Sequence, residues 1–195
     1  MGNRYQFTGL LGQGGISQVS RAFDLLKRRE VAIKRLLPGS KAESQCSTSR
    51  SLEREALALS RLKHPNVGER YEVSEDEKGC FAVRELIEGE SLQNIVAEGA
   101  LTMSDFLLVA SQSLSALAAA EKIQLLHRDL KPANVMLARD DEGEIEVKIL
   151  DFGVSKFLLQ PRLQTVDLQR ALLGSDDYIS PEQLQHQPLA ARHDL

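Results

Sequence analysis

Alternation of hydrophobic and polar residues predicts that the first part of the chain is built from strands. Five short segments alternate or are rich in strand-forming residues, with glycine or charged turns nearby, and they are 4–11, 18–24, 30–36, 67–73 and 80–87. The first three follow one another through short turns, which favours an antiparallel arrangement. The pattern therefore predicts a sheet of about five strands.

Two stretches instead carry apolar residues at helical spacing. The first predicts a helix of about three turns that ends before Pro65, and its apolar positions are Leu52, Ala56, Leu59 and Leu62. The second begins after Gly99 and predicts a longer helix with Thr102 or Ser104 as its N-cap. Its apolar face is Leu107, Ala110, Leu114, Leu117 and Ala118.

The remaining pattern is a short hairpin followed by a long irregular segment. Residues 134–137 and 145–149 alternate on either side of an acidic turn, which predicts two paired strands. From 151 to 188 there is little periodicity, and an irregular stretch of this length in a compact domain is usually functional. The overall order of elements predicts an α+β chain, with strands first and a mostly helical part second.

Composition narrows the functional classes. The 195 residues are 42% hydrophobic, which predicts one folded domain or at most two small ones. A net charge of -4 without a dense Lys/Arg block argues against a nucleic-acid partner. The N-terminus does not have the pattern of a signal peptide, and no run approaches the roughly 18 apolar residues of a membrane span. Cys46 and Cys80 lack metal-ligand spacing, so we expect two free thiols in a reducing compartment and a cytoplasmic location.

A glycine-rich turn joins the first two predicted strands. In the sequence GQGGISQV at 12–19, the missing side chains let backbone N–H groups approach an anionic ligand. The loop lacks the following helix of a dinucleotide fold and the Gly-Lys-Ser/Thr of a P-loop. Taken alone, it is as consistent with an ordinary β-turn as with a phosphate site.

One lysine and one glutamate occupy positions that are otherwise apolar. Lys34 ends the apolar run that starts at Val31, and Glu55 lies within the apolar stripe of the first predicted helix. An unpaired buried charge costs several kcal/mol, so the two residues are candidates to pair with each other. The alternative is that Glu55 lies at the edge of the stripe and is solvated.

Two further motifs place acidic and amide side chains beside short strands. They are HRDLKPAN at 127–134 and DFG at 151–153. Oxygen ligands such as those of Asn134 and Asp151 suit Mg²⁺, which takes its other ligands from phosphates and water. Asp129, kept off the metal, is placed to orient and deprotonate a hydroxyl group.

In their order and approximate spacing these motifs resemble the protein kinase family, over nearly the whole chain. The residues that carry the resemblance are 12–14, Lys34, Glu55, 127–134, 151–153 and 180–182. HPNV at 64–67 and YISPEQ at 178–183 look most like bacterial kinases of the eukaryotic serine/threonine type. The resemblance implies a two-lobed, protein-kinase-like fold. Its N-lobe, 1–87, has a five-stranded antiparallel sheet and one helix, and its C-lobe, 88–195, is mostly helical and incomplete.

The resemblance implies that the chain binds ATP. Lys34 would grip the α- and β-phosphates while Glu55 holds it in place. The main chain around Glu85 and Ile87 would hold the adenine as the hinge. The other nucleotide contacts implied by the family are Leu11, Gly12, Gly14, Gly15, Val19 and Ala32.

The same resemblance implies catalytic and regulatory roles. Asp129 would accept or orient a substrate Ser/Thr hydroxyl, and Lys131 would neutralise charge on the γ-phosphate. Asn134 and Asp151 would bind Mg²⁺. Arg128 beside Asp129 implies activation-loop phosphorylation, and self-phosphorylation is expected at Thr165, with Ser155 and Ser175 as further candidates.

The chain departs from the family pattern at three points. Ser17 stands where the family has a third glycine. Arg84 precedes the hinge, where an apolar residue is usual, unless the register is shifted by one and Val83 lines the pocket. The chain stops where the first of several further helices would start, with Asp194 at the position of a residue that steadies the catalytic loop.

These departures keep two functions open. The first is a protein kinase that phosphorylates Ser or Thr of protein substrates. The second is a catalytically weak or inactive fragment that acts as a nucleotide-binding or scaffold module. A small-molecule phosphotransferase is disfavoured because the SPE sequence at 180–182 belongs to kinases with protein substrates.

Overall fold

A computed structural model describes residues 4–14, 17–37, 62–139 and 144–152, together with Tyr178, Ser180, Pro181 and Gln185. The strands within these ranges are β1 Tyr5–Gln13, β2 Ser17–Asp24, β3 Arg29–Leu36, β4 Arg70–Asp76, β5 Gly79–Glu85, β6 Gly89–Ser91, β7 Val135–Arg139 and β8 Ile145–Ile149. The helices are α1 Leu92–Glu98 and α2 Met103–Lys122, with a 3-10 turn at Pro132–Asn134.

The chain divides into two compact units. Unit 1 comprises 1–56, 69–86 and 154–176, and unit 2 comprises 57–68, 87–153 and 177–195. The sheet of unit 1 has the order β1-β2-β3-β5-β4 with antiparallel neighbours throughout, which confirms the predicted five-stranded sheet. Apart from Leu62, the helix predicted at 52–62 lies outside the described residues.

The sheet of unit 1 buries one of its two faces in an apolar cluster. The cluster is Tyr5, Ala22, Val31, Ile33, Phe81 and Val83. Because side chains alternate along a strand, the intervening residues of β2, β3 and β5 lie on the opposite face. We call this opposite face the Lys34 face, and its central members are Val19, Ala32, Lys34, Ala82 and Arg84.

A charged network ties the start of β1 to β2 and β4. The Arg4 guanidinium donates to both carboxylate oxygens of Asp24, at 2.7 and 3.0 Å, and to Glu72 at 2.8 Å. Asp24 is fully buried and also accepts from the backbone N–H groups of Leu26 and Lys27. Arg4 and these N–H groups lower the pKa of Asp24 to about 2.

Unit 2 packs α2 against a small antiparallel sheet of order β6-β7-β8. Thr102 caps α2 by accepting from the backbone N–H of Asp105 at 3.1 Å, which decides between the two predicted caps. Val109 packs with residues of β7 and β8, while Ala116 and Ala120 pack with Phe152. The predicted hairpin is present as β7 and β8, and β6 extends it by one strand.

Two expectations drawn from composition are wrong. Helix α2 is, by its length and composition, apolar enough to cross a bilayer, contrary to the expectation that no segment is. Its residues Val109, Ala116 and Ala120 lie in the core of unit 2, whereas Leu107 and Leu114 of its predicted apolar face are 59% and 51% exposed. Cys80 on β5 is disulfide-bonded rather than a free thiol, so the cysteines do not argue for a reducing compartment.

Candidate active site

The glycine-rich turn closes the β1–β2 hairpin. Gly12 still pairs with β2, and the N–H of Gly14 donates to the carbonyl of Ser17 at 2.8 Å. A Cβ added at Gly12 would meet no heavy atom within 4 Å, and one at Gly14 would meet only an oxygen 3.8 Å away. Packing of the described residues therefore does not require glycine at positions 12 and 14, and the turn leaves room for an external group to approach its backbone. Leu11, just before them, is 51% exposed.

Three predicted nucleotide contacts lie together on the Lys34 face. Val19 of β2 is the cross-strand neighbour of Lys34 on β3. Ala32 lies two residues before Lys34 on the same strand and is 4% exposed, whereas the Lys34 side chain is half-buried. The sheet register thus brings these three residues to one surface.

The register also decides the position of Arg84. Arg84 is the cross-strand neighbour of Ala32, while Val83 lies in the apolar cluster on the other side of the sheet. Because successive side chains alternate between faces, the one-residue shift that would place Val83 on the Lys34 face does not occur. A half-buried arginine therefore occupies the position beside Ala32.

The predicted hinge begins where β5 ends. The backbone N–H of Glu85 donates to the carbonyl of Glu69 at 2.8 Å, and the N–H of Glu69 donates to the Glu85 carboxylate at 2.9 Å. These reciprocal hydrogen bonds fix the end of the strand in unit 1. Ile87 is half-buried and belongs to unit 2.

In unit 2 the 127–134 segment gathers three of the predicted functional side chains. Lys131 Nζ lies 3.0 Å from Asp129 Oδ1, and both side chains are about one-fifth exposed, at 20% and 24%. The Asn134 amide nitrogen donates to the Asp129 backbone carbonyl at 2.7 Å and to its carboxylate at 3.1 Å. The carboxylate of Asp129 is thus oriented by a cation on one oxygen and an amide on the other.

His127 connects this segment to the residues that follow β8. Its ring is fully buried. Nδ1 accepts a hydrogen bond from the backbone N–H of Asp129 at 3.3 Å. In a neutral imidazole the other nitrogen then carries the proton, so Nε2 donates to the carbonyl of Leu150 at 2.8 Å. The ring also packs edge-on against Phe152, with centroids 4.7 Å apart. His127 was recognised as part of the 127–134 motif, but its hydrogen bonds to the backbone of Asp129 and Leu150 were not predicted. A single histidine in a sequence does not indicate which residues it will contact.

A second set of hydrogen bonds holds β8, which leads into Asp151. The buried Asn66 donates to the carbonyl of Val147 at 3.0 Å and to the Gln112 side chain at 2.7 Å. Gln112, on α2, in turn accepts from the N–H of Val147 at 2.8 Å and donates to Ile145. These side chains fix β8 between α2 and the 64–67 segment. Gln112 was not predicted, because a single polar residue on a helix has no distinguishing pattern.

The residues predicted to bind a metal satisfy the requirements of Mg²⁺ in part. Since the Asn134 amide nitrogen is used by Asp129, its carbonyl oxygen is the atom oriented for a ligand. Asp151 follows β8 closely, and the backbone N–H of the preceding Leu150 donates to the backbone carbonyl of Asn134 at 2.8 Å. No three His, Cys, Asp or Glu residues gather among the described residues, but Mg²⁺ held by one carboxylate, one amide and phosphate oxygens needs no such cluster.

Several predicted residues lie outside the described ranges. They are Gly15, Glu55, Gly153, Ser155, Thr165, Ser175, Glu182 and Asp194. The pairing of Glu55 with Lys34 and the self-phosphorylation site at Thr165 stay predictions.

Comparison with known proteins identifies the family. The protein kinase domain family matches residues 5–195, so the chain belongs to the protein kinase family. This membership confirms the prediction made from the motifs.

The individual relatives are bacterial serine/threonine kinases. The chain is 36% identical over 181 residues to serine/threonine-protein kinase PrkC of Bacillus subtilis, covering 92% of this chain and 26% of PrkC. It is 32% identical over 200 residues to serine/threonine-protein kinase PknB of Mycobacterium tuberculosis, covering 100% of this chain and 31% of PknB. The chain therefore spans less than a third of the length of these relatives.

Among solved structures, the fold matches the kinase domain of PknI from Mycobacterium tuberculosis with a TM-score of 0.73. The sequence identity is 21%, and the match covers 98% of this chain and 69% of that domain. The likeness confirms the predicted protein-kinase-like α+β fold.

Proposed function

We propose that the chain is the catalytic part of a protein kinase that transfers the γ-phosphate of ATP to Ser or Thr hydroxyls of proteins. The observation that carries the proposal is the geometry of the 127–134 segment. Asp129 has one carboxylate oxygen beside the Lys131 ammonium and the other beside the Asn134 amide. A carboxylate held in this way is suited to accept a proton from an incoming hydroxyl.

The neighbouring side chains supply the electrostatic part of phosphoryl transfer. Lys131 neutralises charge on the transferred phosphate, and Lys34 contacts the α- and β-phosphates. The open space around Gly12 and Gly14 lets phosphates approach the backbone of the glycine turn without interference from side chains. These roles are carried over from the resemblance to the kinase family, and the charge of each residue is consistent with its role.

Mg²⁺ fits the donor set of Asn134 and Asp151. Held by these two residues, it would supply positive charge that offsets the charge of the phosphates. Asn134 holds its carbonyl oxygen in position for the ion because its amide nitrogen is committed to Asp129. A cytoplasmic location is part of the proposal, since ATP and protein substrates are available there.

The test is phosphotransfer by the purified chain. The chain is incubated with Mg·ATP labelled on the γ-phosphate and an equimolar mixture of Ser-, Thr- and Tyr-containing peptides, and the labelled amino acids are identified by mass spectrometry. Label on Ser and Thr, including Thr165 of the chain itself, is expected. Label on Tyr alone would contradict the proposed specificity.

The second candidate is a nucleotide-binding module without turnover. The specific observation in its favour is Arg84 on the Lys34 face, where the kinase resemblance calls for an apolar residue. A thermal melt with Mg·ATP separates the two candidates. Nucleotide binding at a hundredfold excess over Kd stabilises the fold by about 2.7 kcal/mol, and such a shift without phosphotransfer would favour the module.

A further inference from the structure

We propose that Arg84 widens the base specificity of the nucleotide site, so that 6-oxopurine nucleotides such as GTP and ITP are accepted alongside ATP. This inference rests on the proposed function. It concerns Arg84, which occupies a position beside Ala32 on the Lys34 face where the kinase resemblance calls for an apolar residue.

The position of Arg84 follows from the strand register. Ala32 lies between Arg84 on β5 and Arg21 on β2, while Lys34 lies opposite Ala82. Arg84 is thus displaced from Lys34 by two residues along β3, or about 7 Å. If Lys34 contacts the phosphates, the base is expected to lie toward the Ala32 end of this face.

Arg84 is joined there by a second arginine. Arg70 on β4 is its direct cross-strand neighbour, and both side chains are half-buried. Cross-strand neighbours have Cβ atoms about 5 Å apart, so the two guanidinium groups share one end of the face. Two cationic side chains that carry N–H donors therefore lie at this end of the face.

The chemistry of the guanidinium then discriminates between purines. Arginine has five N–H donors and no acceptor, so it can retain another partner and still donate to a ligand. The exocyclic amino group at position 6 of adenine is a donor, which a guanidinium repels. The 6-oxo group of guanine or hypoxanthine is an acceptor, and arginine pairs readily with the O6 and N7 atoms of guanine.

A purely steric effect of Arg84 would have a different outcome. A long side chain that only fills space weakens ATP and ITP to the same extent, because the two bases are nearly identical in size. A donor at this position shifts the ratio of the two affinities. The ratio is therefore the quantity to measure.

The experiment is calorimetric titration of the whole 195-residue chain with Mg·ATP, Mg·ITP and Mg·GTP. ITP isolates the effect of position 6 because it lacks the 2-amino group of GTP. We expect the wild-type Kd for Mg·ITP to lie within about tenfold of that for Mg·ATP, or below it. In Arg84→Met the Kd ratio of ITP to ATP is expected to rise about tenfold, the effect of one charge-assisted hydrogen bond.

Two further variants complete the design. Arg84→Lys keeps a donor-only cation and is expected to retain most of the wild-type ratio. Lys27→Met removes one positive charge from the exposed β2–β3 turn and should leave the ratio unchanged. A wild-type preference for ATP well beyond tenfold, or an Arg84→Met ratio equal to that of the wild type, overturns the inference and leaves the proposed function intact.

The remaining outcomes are also decisive. Binding of none of the three nucleotides to the wild type overturns the proposed function and this inference together. If Arg84→Met shows no cooperative melt, the wild-type ratio alone decides, since it requires no folded variant.

Discussion

Replacement of Asp129 by Asn separates catalysis from folding in this chain. The change swaps one carboxylate oxygen for an amide of the same size. It removes the ion pair with Lys131, whose atoms are 3.0 Å apart and whose side chains are 20% and 24% exposed. The pair is part-buried, and Asn keeps a polar side chain of the same size beside Lys131, so the free energy of unfolding should fall by about 1–2 kcal/mol.

The effect on turnover should be far larger. A positioned base contributes roughly 10²- to 10⁴-fold to the rate, which corresponds to about 3–5 kcal/mol in the activation free energy. The Asn134 amide can still donate to the remaining oxygen and to the backbone carbonyl of residue 129. The variant should therefore bind Mg·ATP with unchanged affinity while phosphotransfer falls by two orders of magnitude or more.

Glu146→Gln is a matched control for this variant. Glu146 pairs with Lys148 at 3.1 Å in the same unit, and the substitution makes the same change from acid to amide. Phosphotransfer is measured with labelled ATP and nucleotide affinity by calorimetry, at equal concentrations of folded protein. If Asp129→Asn loses less than about tenfold in rate, or loses affinity in the same proportion, the assigned role of Asp129 is wrong.

Three further predictions follow from the described residues. Lys34→Met should weaken Mg·ATP binding and phosphotransfer without lowering the melting temperature of the free chain, and unchanged phosphotransfer would refute its role. Because Arg4 depresses the pKa of Asp24 to about 2 from 3.8, this carboxylate stabilises the fold above about pH 4. About 2 kcal/mol should be lost as the pH falls toward 2; urea unfolding of Asp24→Asn should lack this acid-dependent loss, and identical pH profiles would contradict the assignment. Gly89→Ala should destabilise the β6–β7 pairing by on the order of 1–3 kcal/mol, because its Cβ would overlap the β7 backbone. Gly99→Ala, whose Cβ meets open space, is the control, and equal urea midpoints for the two variants would rule the overlap out.

The sheet of unit 1 could be predicted because its pattern is local. Alternation along β2, β3 and β5 reports which residues are buried, and the same alternation places Ala32 and Lys34 on one face. The catalytic motifs could be predicted because their residue types are chemically unusual in combination. Glu55 shows the limit of this reasoning, since its pairing with Lys34 depends on tertiary packing, and Glu55 lies outside the described residues.

The elements that sequence reasoning missed have weak local signals. Strand β6 has only three residues, Gly89–Ser91, which are too few to show alternation. Helix α1 has seven residues and no buried side chain, so its apolar pattern is incomplete. Asn66 and Gln112, whose side chains bond to each other and to β8, are 46 positions apart in sequence. Only the folded chain brings them together.

The geometry of the catalytic segment depends on backbone conformations that most residues avoid. Arg128 has φ of 67° and Asp151 has φ of 63°, both in the left-handed region, where a non-glycine residue costs about 1–3 kcal/mol. Arg128 directly precedes Asp129, the first of the two predicted acidic residues of the site. Asp151 is the second. His127 provides compensation because its ring bonds to the backbone of both segments, at Asp129 and at Leu150. One buried ring within unit 2 therefore holds the backbone at Asp129 and at Leu150, directly before Asp151.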